Sequence, residues 1–236
     1  MSGVALVTGA DRGLGLALTA GLVERGWRVF AGQYMPEWPE LGALAARHPG
    51  AVEIVPLDVS CAASVTAAAR TVGERSDRLD LIINNAGINA GRTELREGLD
   101  WEAMHRAYNV NALGPIRVVE AFLPRMAQGM RRLAFVSSEA GSIAMNNRQG
   151  SFGYCMSKTA LNMAVRIMHN ELRRAGYTFR LYHPGWVRSY MSGQKNMRAT
   201  LEPEEAAACA LPFFLEDRDD EDRLVLIDYE GREWPF

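Results

Sequence analysis

The feature that most constrains this chain is an alternation of short, near-continuous apolar runs with longer stretches of helical spacing. Residues 4–8, 28–32, 52–57, 79–84, 133–137, 179–182 and 224–227 each form such a run and end in small or polar residues. That is the pattern of strands buried on both faces. Between them, Leu14, Leu18 and Leu22 make one helical stripe, and others run through 62–72, 101–126, 157–174 and 203–214. Strands joined by crossovers of this length pair in parallel, with helices covering both faces of the sheet. The pattern predicts an α/β, doubly wound fold with a seven-stranded parallel sheet. No linker, repeat or low-complexity segment interrupts it, so residues 1–236 are expected to form a single domain. Two stretches, 88–99 and 186–201, fit neither pattern. Both follow a strand end, where open α/β sheets place their ligands.

Composition narrows the class of partner. A hydrophobic content of 48% is enough for a full core and excludes disorder as the main state. With 26 Lys+Arg against 28 Asp+Glu the net charge is −2, which offers no footprint for nucleic acid or an anionic membrane. Cys61, Cys155 and Cys209 are scattered and odd in number, which fits a reducing compartment. The opening MSGVALVTGA has neither a basic start nor a long apolar stretch, so no targeting segment is expected. The longest apolar run, 206–215, contains Pro212 and is about half the ~20 residues that span a bilayer. A cytoplasmic protein with a small-molecule substrate is the expectation.

The strongest local signal is TGADRGLG at residues 8–15, between the first strand and the first helix. Gly9, Gly13 and Gly15 permit positive φ, close approach of backbone to a ligand, and tight packing of helix on strand. The helix start beyond them carries unpaired N–H groups and a partial positive charge, which suits a pyrophosphate.

The spacing Gly-x-x-x-Gly-x-Gly, preceded by Thr8, resembles the compact single-domain branch of the short-chain dehydrogenase/reductase family, a Rossmann-type fold. The resemblance continues in register. Asn84-Asn85-Ala86-Gly87 matches the family's NNAG, which braces the sheet and walls the adenine side of the cofactor, and Asp58-Val59 looks like its adenine contact. Asn111 in NVNALG, Ser138 in VSSEAG, and Tyr154 with Lys158 in YCMSK look like its catalytic set. Pro184-Gly185-Trp186-Val187, with Ser189, is similar to its nicotinamide-side PG motif. NALGPIRVVEAFLPRM, HPGWV and the closing DYEGREWPF point further to sniffer-type carbonyl reductases and C-factor-like members. The resemblance implies a cofactor site of Thr8, Gly9, Asp11, Arg12, Gly13, Leu14 and Gly15, then Gln33 and Tyr34 at the second strand end. Asp58, Val59, Asn85, Ala86, Gly87, Tyr154, Lys158, Pro184, Gly185, Val187 and Ser189 complete it.

The cofactor's phosphate form is read at the second strand end. Dinucleotide sites often carry an acid there that accepts from the ribose 2′-hydroxyl of NAD. Here Gln33 stands in that place, followed by Tyr34, so nothing repels a 2′-phosphate. Arg12 lies within the loop, where NADP-preferring relatives often place a base. Asp11 adds a negative charge nearby, and a simple Asp11–Arg12 ion pair is the rival reading. The balance favours NADP(H) over NAD(H).

Tyr154 and Lys158 are one helical turn apart, so they share a face. A phenol ordinarily titrates near pH ~10; a neighbouring ammonium, aided by the charge of an oxidised nicotinamide, favours phenolate. Tyr154 is then expected to exchange a proton with a carbonyl or alcohol oxygen, with Ser138 holding that oxygen. Asn111 would interrupt its helix and hold a water that links Lys158 to solvent. Glu139 either faces the cleft, where its charge disfavours anionic substrates, or points away and pairs with an arginine. The 186–201 segment, with Trp186, Tyr190, Met191 and Met197, suggests a hydrophobic or aromatic carbonyl compound.

Other groups invite blander readings. Cys155 is expected to pack as a small apolar residue, and His183 to be a hydrogen-bonded strand-end residue. The four histidines show no metal-ligand spacing. The acidic run at 217–222 reads as a solvated loop. Two rival functions remain: an NAD-dependent alcohol dehydrogenase, and a cofactor-binding regulator without catalysis. Apolar faces in 101–126 and 157–174 would suit a homodimer or homotetramer, as the family implies.

Overall fold

The computed structural model describes residues 3–191 and 193–236. Among these residues eight strands form one sheet: β1 (Val4–Val7), β2 (Arg28–Gln33), β3 (Val52–Pro56), β4 (Leu81–Asn84), β5 (Arg132–Val136), β6 (Thr178–His183), β7 (Leu226–Asp228) and β8 (Glu233–Trp234). Their spatial order is β3-β2-β1-β4-β5-β6-β7-β8. All neighbours are parallel except β7 and β8, which pair antiparallel through Leu226↔Trp234 and Ile227↔Glu233. The expected seven parallel strands are present, and the sheet is mixed because of this last hairpin. Buried Asp228 makes the hairpin turn, accepting from the backbone N–H of Glu230 and Arg232 and from the Trp234 indole. A two-residue strand among charged residues carries no apolar alternation, which is why β8 is invisible to periodicity.

Strands β1 to β6 each feed two cores, as a period of two requires. Ala5 and Val7 face Leu14, Leu18 and Leu22 of α1 (Gly13–Glu24), Leu41 and Leu44 of α2 (Pro39–Arg47), and Ala206, Ala210 and Phe214 of α7 (Pro203–Leu215). Val4 and Leu6 face Val65 and Val72 of α3 (Ala62–Arg75), Val118 and Phe122 of α5 (Gly114–Phe122), and Leu161 and Val165 of α6 (Phe152–Leu172). Helix α2 has no counterpart in the sequence reading, because its apolar contribution is only two buried leucines. Among the described residues no helix is long and apolar enough to cross a membrane.

The helix expected over 101–126 is divided. Helix α4 (Trp101–Tyr108) passes through a π turn at Asn109–Leu113 before α5 begins. The cause is local: Pro115 has no N–H to offer the carbonyl of Asn111 four residues back, and the Gly114 N–H bonds instead to Asn109. Single π turns in helices occur often at functional sites.

The acidic run at 217–222 is not simply solvated. Arg132 and Arg180, on neighbouring strands, are each 1% exposed. Glu221 accepts from both guanidinium groups, Asp217 accepts from Arg132 at 2.7 Å, and the carbonyls of Phe213, Phe214 and Glu216 take further donors. Burial alone would raise the Glu221 pKa; the bond from Arg180 and the nearby cations hold it below the usual carboxylate value. Glu221→Gln is expected to cost about 1–3 kcal/mol in urea unfolding, since it strands part of two buried charges. The exposed control Asp219→Asn should stay within about 0.5 kcal/mol. Because folding depresses this pKa, its contribution is complete above the ordinary carboxylate range and lost as pH falls through the folded value. Equal losses in the two variants would remove Glu221 from the structural account.

Candidate active site

The sheet order reverses between β1 and β4, and a cavity of about 860 Å³ opens at the C-terminal strand ends on either side of that seam. It extends from Tyr34 and Met35 after β2, past Asn85 after β4, to Ser138 and His183 at the ends of β5 and β6. The seam is bonded by side chains. Thr8 Oγ1 accepts from the N–H groups of Asn85 and Ala86, each at 3.0 Å, while Asn85 Nδ2 donates to the carbonyls of Thr8 and Gly9.

These bonds shape the glycine loop. Gly9 and Gly13 hold φ of +63° and +55°, conformations that L side chains rarely adopt. A Cβ on Gly15 would lie 2.0 Å from the Gly9 carbonyl oxygen and 2.5 Å from Asn85 Nδ2. Helix α1 starts at Gly13 without a side-chain cap on its first turn, so its free N–H groups face the cavity. A surface of backbone donors with no room for Cβ atoms fits a pyrophosphate.

Around this cradle the expected residues divide. Asp11, Arg12, Leu14, Tyr34, Asp58, Val59, Ala86 and Gly87 line the cavity, as do Pro184, Gly185, Trp186, Val187 and Ser189. Gln33 does not: it ends β2 as the ladder partner of Pro56, and the cavity wall begins one residue later. Thr8 does not either, being 1% exposed and consumed in the seam. Asp11 and Arg12 do not form an ion pair among the described residues. Asp11 Oδ1 accepts from the N–H groups of Tyr34 and Met35, both at 2.8 Å, and fixes the turn after β2. Arg12 instead packs its guanidinium on two aromatic rings, Trp38 at 4.2 Å and Tyr190 at 5.0 Å.

At the other end, α6 carries Tyr154 and Lys158 side by side, with the Lys158 ammonium 5.9 Å from the Tyr154 ring centre. Lys158 is 3% exposed, and its Nζ donates to the Val136 carbonyl at 2.9 Å. Burial pulls its pKa down to about 8. Gly141 lets the Ser138 turn lie directly on this helix, since a Cβ there would meet the Lys158 backbone at 2.9 Å. Ser138 and Tyr154 thereby line the same wall of the cavity. The expected acidified phenol is not found: burial pushes Tyr154 up to about 12, against the opposing pull of the neighbouring Ser138 hydroxyl and the Arg148 charge. Lys158, whose Nζ is hydrogen-bonded to the Val136 carbonyl, does not offset this burial.

Asn111 is buried beneath the cavity, not in its wall. Its Oδ1 accepts from Ile88 N, and its Nδ2 donates to Ile88 O and Ser157 Oγ, all at 2.9 Å. The side chain thus ties the 88–99 segment to α6. A water link of the kind expected would fall to the Asn111 backbone carbonyl, which Pro115 leaves without its helical donor.

Glu139 combines both anticipated placements. It lines the cavity and also pairs with Arg148, while Ser138 Oγ donates to its Oε2. Burial would raise its pKa, but the Ser138 bond, His183 and Arg148 hold it down. Arg148 cancels the charge that was expected to repel anions. Sequence reasoning missed Arg148, which reaches Glu139 from nine residues further along the chain. His183 is not the hydrogen-bonded residue expected: among the described residues its Nδ1 has no hydrogen-bond partner, and its Nε2 lies 3.5 Å from Glu139. Cys155 is packed at 8% exposure. In the 186–201 segment Trp186, Tyr190 and Met191 reach the cavity, whereas Met197 is 64% exposed and turned away.

Comparison with known proteins now decides the family. The model for "short chain dehydrogenase" matches residues 3–200. The chain belongs to the short-chain dehydrogenase family. It is 41% identical to the C-signal protein of Myxococcus xanthus over 159 residues, 67% of this chain and 93% of that one. The NADPH-bound carbonyl reductase from chicken fatty liver superimposes with a TM-score of 0.86 at 31% identity, covering 99% of this chain and 98% of that one. A short-chain dehydrogenase/reductase from Burkholderia multivorans with bound NADP gives 0.83 at 28% identity over the full length of both. This short-chain dehydrogenase has the fold of an NAD(P)-dependent oxidoreductase, in a branch shared with carbonyl reductases. Gly15→Ala should weaken NADPH binding by about 10- to 100-fold, the equivalent of ordinary overpacking costs. Fluorescence titration measures it, and unchanged binding by a folded variant would show that the glycine cradle does not hold the dinucleotide.

Proposed function

We propose that this short-chain dehydrogenase is an NADP(H)-dependent carbonyl reductase. The carrying observation is the Ser138–Tyr154–Lys158 group, gathered on one wall of the cavity and in reach of the glycine cradle. When bound, the dinucleotide supplies the hydride. The chain's own groups handle the oxygen and its proton. Tyr154, protonated across neutral pH because burial lifts its pKa to about 12, donates its phenolic proton to the substrate oxygen. Ser138 turns its hydroxyl from Glu139 to that oxygen and stabilises its charge. Lys158, beside Tyr154, would hold the ribose of the dinucleotide, with Asn111 fixing the helix below.

The same reading assigns the pyrophosphate to the backbone of Gly9, Gly13, Leu14 and Gly15. Asp58, Val59, Asn85, Ala86 and Gly87 take the adenine side; Pro184, Gly185, Val187 and Ser189 take the nicotinamide side. Trp186 and Glu139 face the substrate. NADP(H) is supported by Arg12 in the cavity wall and by the NADPH and NADP bound in the two similar structures. A phenol that is a poor base supports reduction over the oxidative, NAD-dependent alternative, and an intact proton-donor group supports catalysis over a purely regulatory role. The exposed Leu113, Ile116, Met163 and Ile167 on and beside α5 and α6 support a homodimer or homotetramer. We place the protein in the cytoplasm and its 236 residues in one domain.

Two measurements test the chemistry. Tyr154→Phe should abolish NADPH oxidation across a carbonyl panel while NADPH affinity stays within about twofold; retained turnover removes the phenol from the mechanism. Carbonyl reduction should be constant near neutral pH and fall as pH rises through about 8, where Lys158 loses its charge. A profile flat to pH ~10, the ordinary range of an exposed lysine, would contradict the role given to that ammonium.

A further inference from the structure

The 186–201 segment leaves β6, yet Tyr190 ends beside Trp38, which follows β2. Three strands, β1, β4 and β5, separate those two strands in the sheet. At ~4.8 Å per strand the segment crosses roughly 19 Å of cavity to reach that contact. Its near end is anchored by Glu202, which accepts from Arg188 at 2.6 Å and pairs with Lys195 at 3.3 Å. Its far end closes on an arginine. The Trp38 and Tyr190 rings stand 62° apart with centroids 4.7 Å from each other, and the Arg12 guanidinium lies over both.

This corner has a consequence for the charge it holds. Among the described residues, Arg12 donates no side-chain hydrogen bond and joins no ion pair, although it lines the cavity. Aromatic contact uses the face of a guanidinium and leaves its in-plane N–H donors available. A flexible arginine must otherwise be ordered by the anion it binds, which weakens that binding; rings that order it beforehand remove the penalty. Asp11, the nearest acid in sequence, is turned onto the Tyr34 and Met35 amides and does not compete.

We infer that Trp38 and Tyr190 are specificity-determining positioning residues that hold Arg12 ready for a ribose 2′-phosphate, and that Tyr190 thereby links this phosphate to the segment walling the substrate end. The inference rests on the NADP(H) reading and assigns the discrimination to two side chains outside the glycine loop. Linkage follows: whatever binds Arg12 in its corner also favours the crossed position of the segment, so substrate affinity depends on the 2′-phosphate.

The test uses adenosine 2′,5′-bisphosphate and 5′-AMP, which differ only in the 2′-phosphate and carry no nicotinamide. Calorimetric Kd values are compared for the wild type, Trp38→Ala, Tyr190→Ala, Tyr190→Leu and Tyr190→Phe. The wild type should prefer the bisphosphate. The alanine and leucine variants should lose about 3- to 30-fold of that preference, the range of a cation–π contact, with 5′-AMP binding unchanged. Tyr190→Phe, which keeps the ring, should retain it. Substrate KM should also rise when NADH replaces NADPH in the wild type, and this dependence should vanish in Tyr190→Leu. A preference untouched by removing either ring overturns the inference and leaves the NADP(H) reading standing. Equal weakening of both nucleotides shows a merely structural role and overturns it too. A wild type indifferent to the 2′-phosphate overturns both.

Discussion

The structure depends on how two parallel strands are joined where the sheet changes direction. Backbone ladders bond β1 to β4 along their length, but at the crevice the ladder ends and polar groups would be left open. Thr8 and Asn85 close that gap reciprocally, one hydroxyl taking two amides and one amide side chain giving to two carbonyls. Four bonds at the seam make the glycine turn rigid enough to hold positive φ and to bring the Gly9 carbonyl against Gly15. The glycine cradle is therefore preorganised by the fold.

What was legible in the sequence follows the same logic. Buried parallel strands must be nearly all apolar, so they are visible as runs, and α1, α3, α6 and α7 follow from their stripes. The glycine loop and the Tyr154–Lys158 pair were legible because their spacing is dictated by a turn and by a helix. Less was visible wherever side chains act on partners distant in sequence. Nothing local marks Arg132 and Arg180 as core residues or Glu221 as their shared acceptor, so an acidic run looked solvated. Nothing local shows that Tyr190 crosses the sheet to Trp38. The π turn was partly legible, since Asn111 was expected to interrupt its helix, yet the part played by Pro115 and the length of the turn had to be seen in the folded chain.

The proton chemistry shows why spacing alone misleads. One helical turn places an ammonium near a phenol, and proximity suggested acidification. Burial decides otherwise: Lys158 donates a hydrogen bond to the Val136 carbonyl, and desolvation, which acts on every buried charge, is the largest influence on both values. The two groups move toward opposite behaviour, the phenol holding its proton more firmly and the ammonium less so. A firmly held proton next to a substrate oxygen is what an acid needs when negative charge develops there during reduction. It becomes available only as the acceptor turns more basic than the phenolate, so it is not lost to water beforehand.

Charge is allotted around the cavity in a consistent way. Each acid in its wall already has partners: Asp11 takes two backbone amides, Asp58 takes the Ser60 amide and hydroxyl, and Glu139 takes Ser138 and Arg148. The bases are not all matched in return. Among the described residues neither Arg12 nor Lys158 has a carboxylate within ion-pair distance, one at each end of the crevice, and between them lies the uncapped start of α1. A chain of net charge −2 thus sets two cations without acidic partners, and a row of free backbone N–H groups, along the crevice. Such a line of charge favours an extended polyanion over a compact neutral ligand. A dinucleotide meets that requirement, and one carrying a third phosphate at its ribose meets it best.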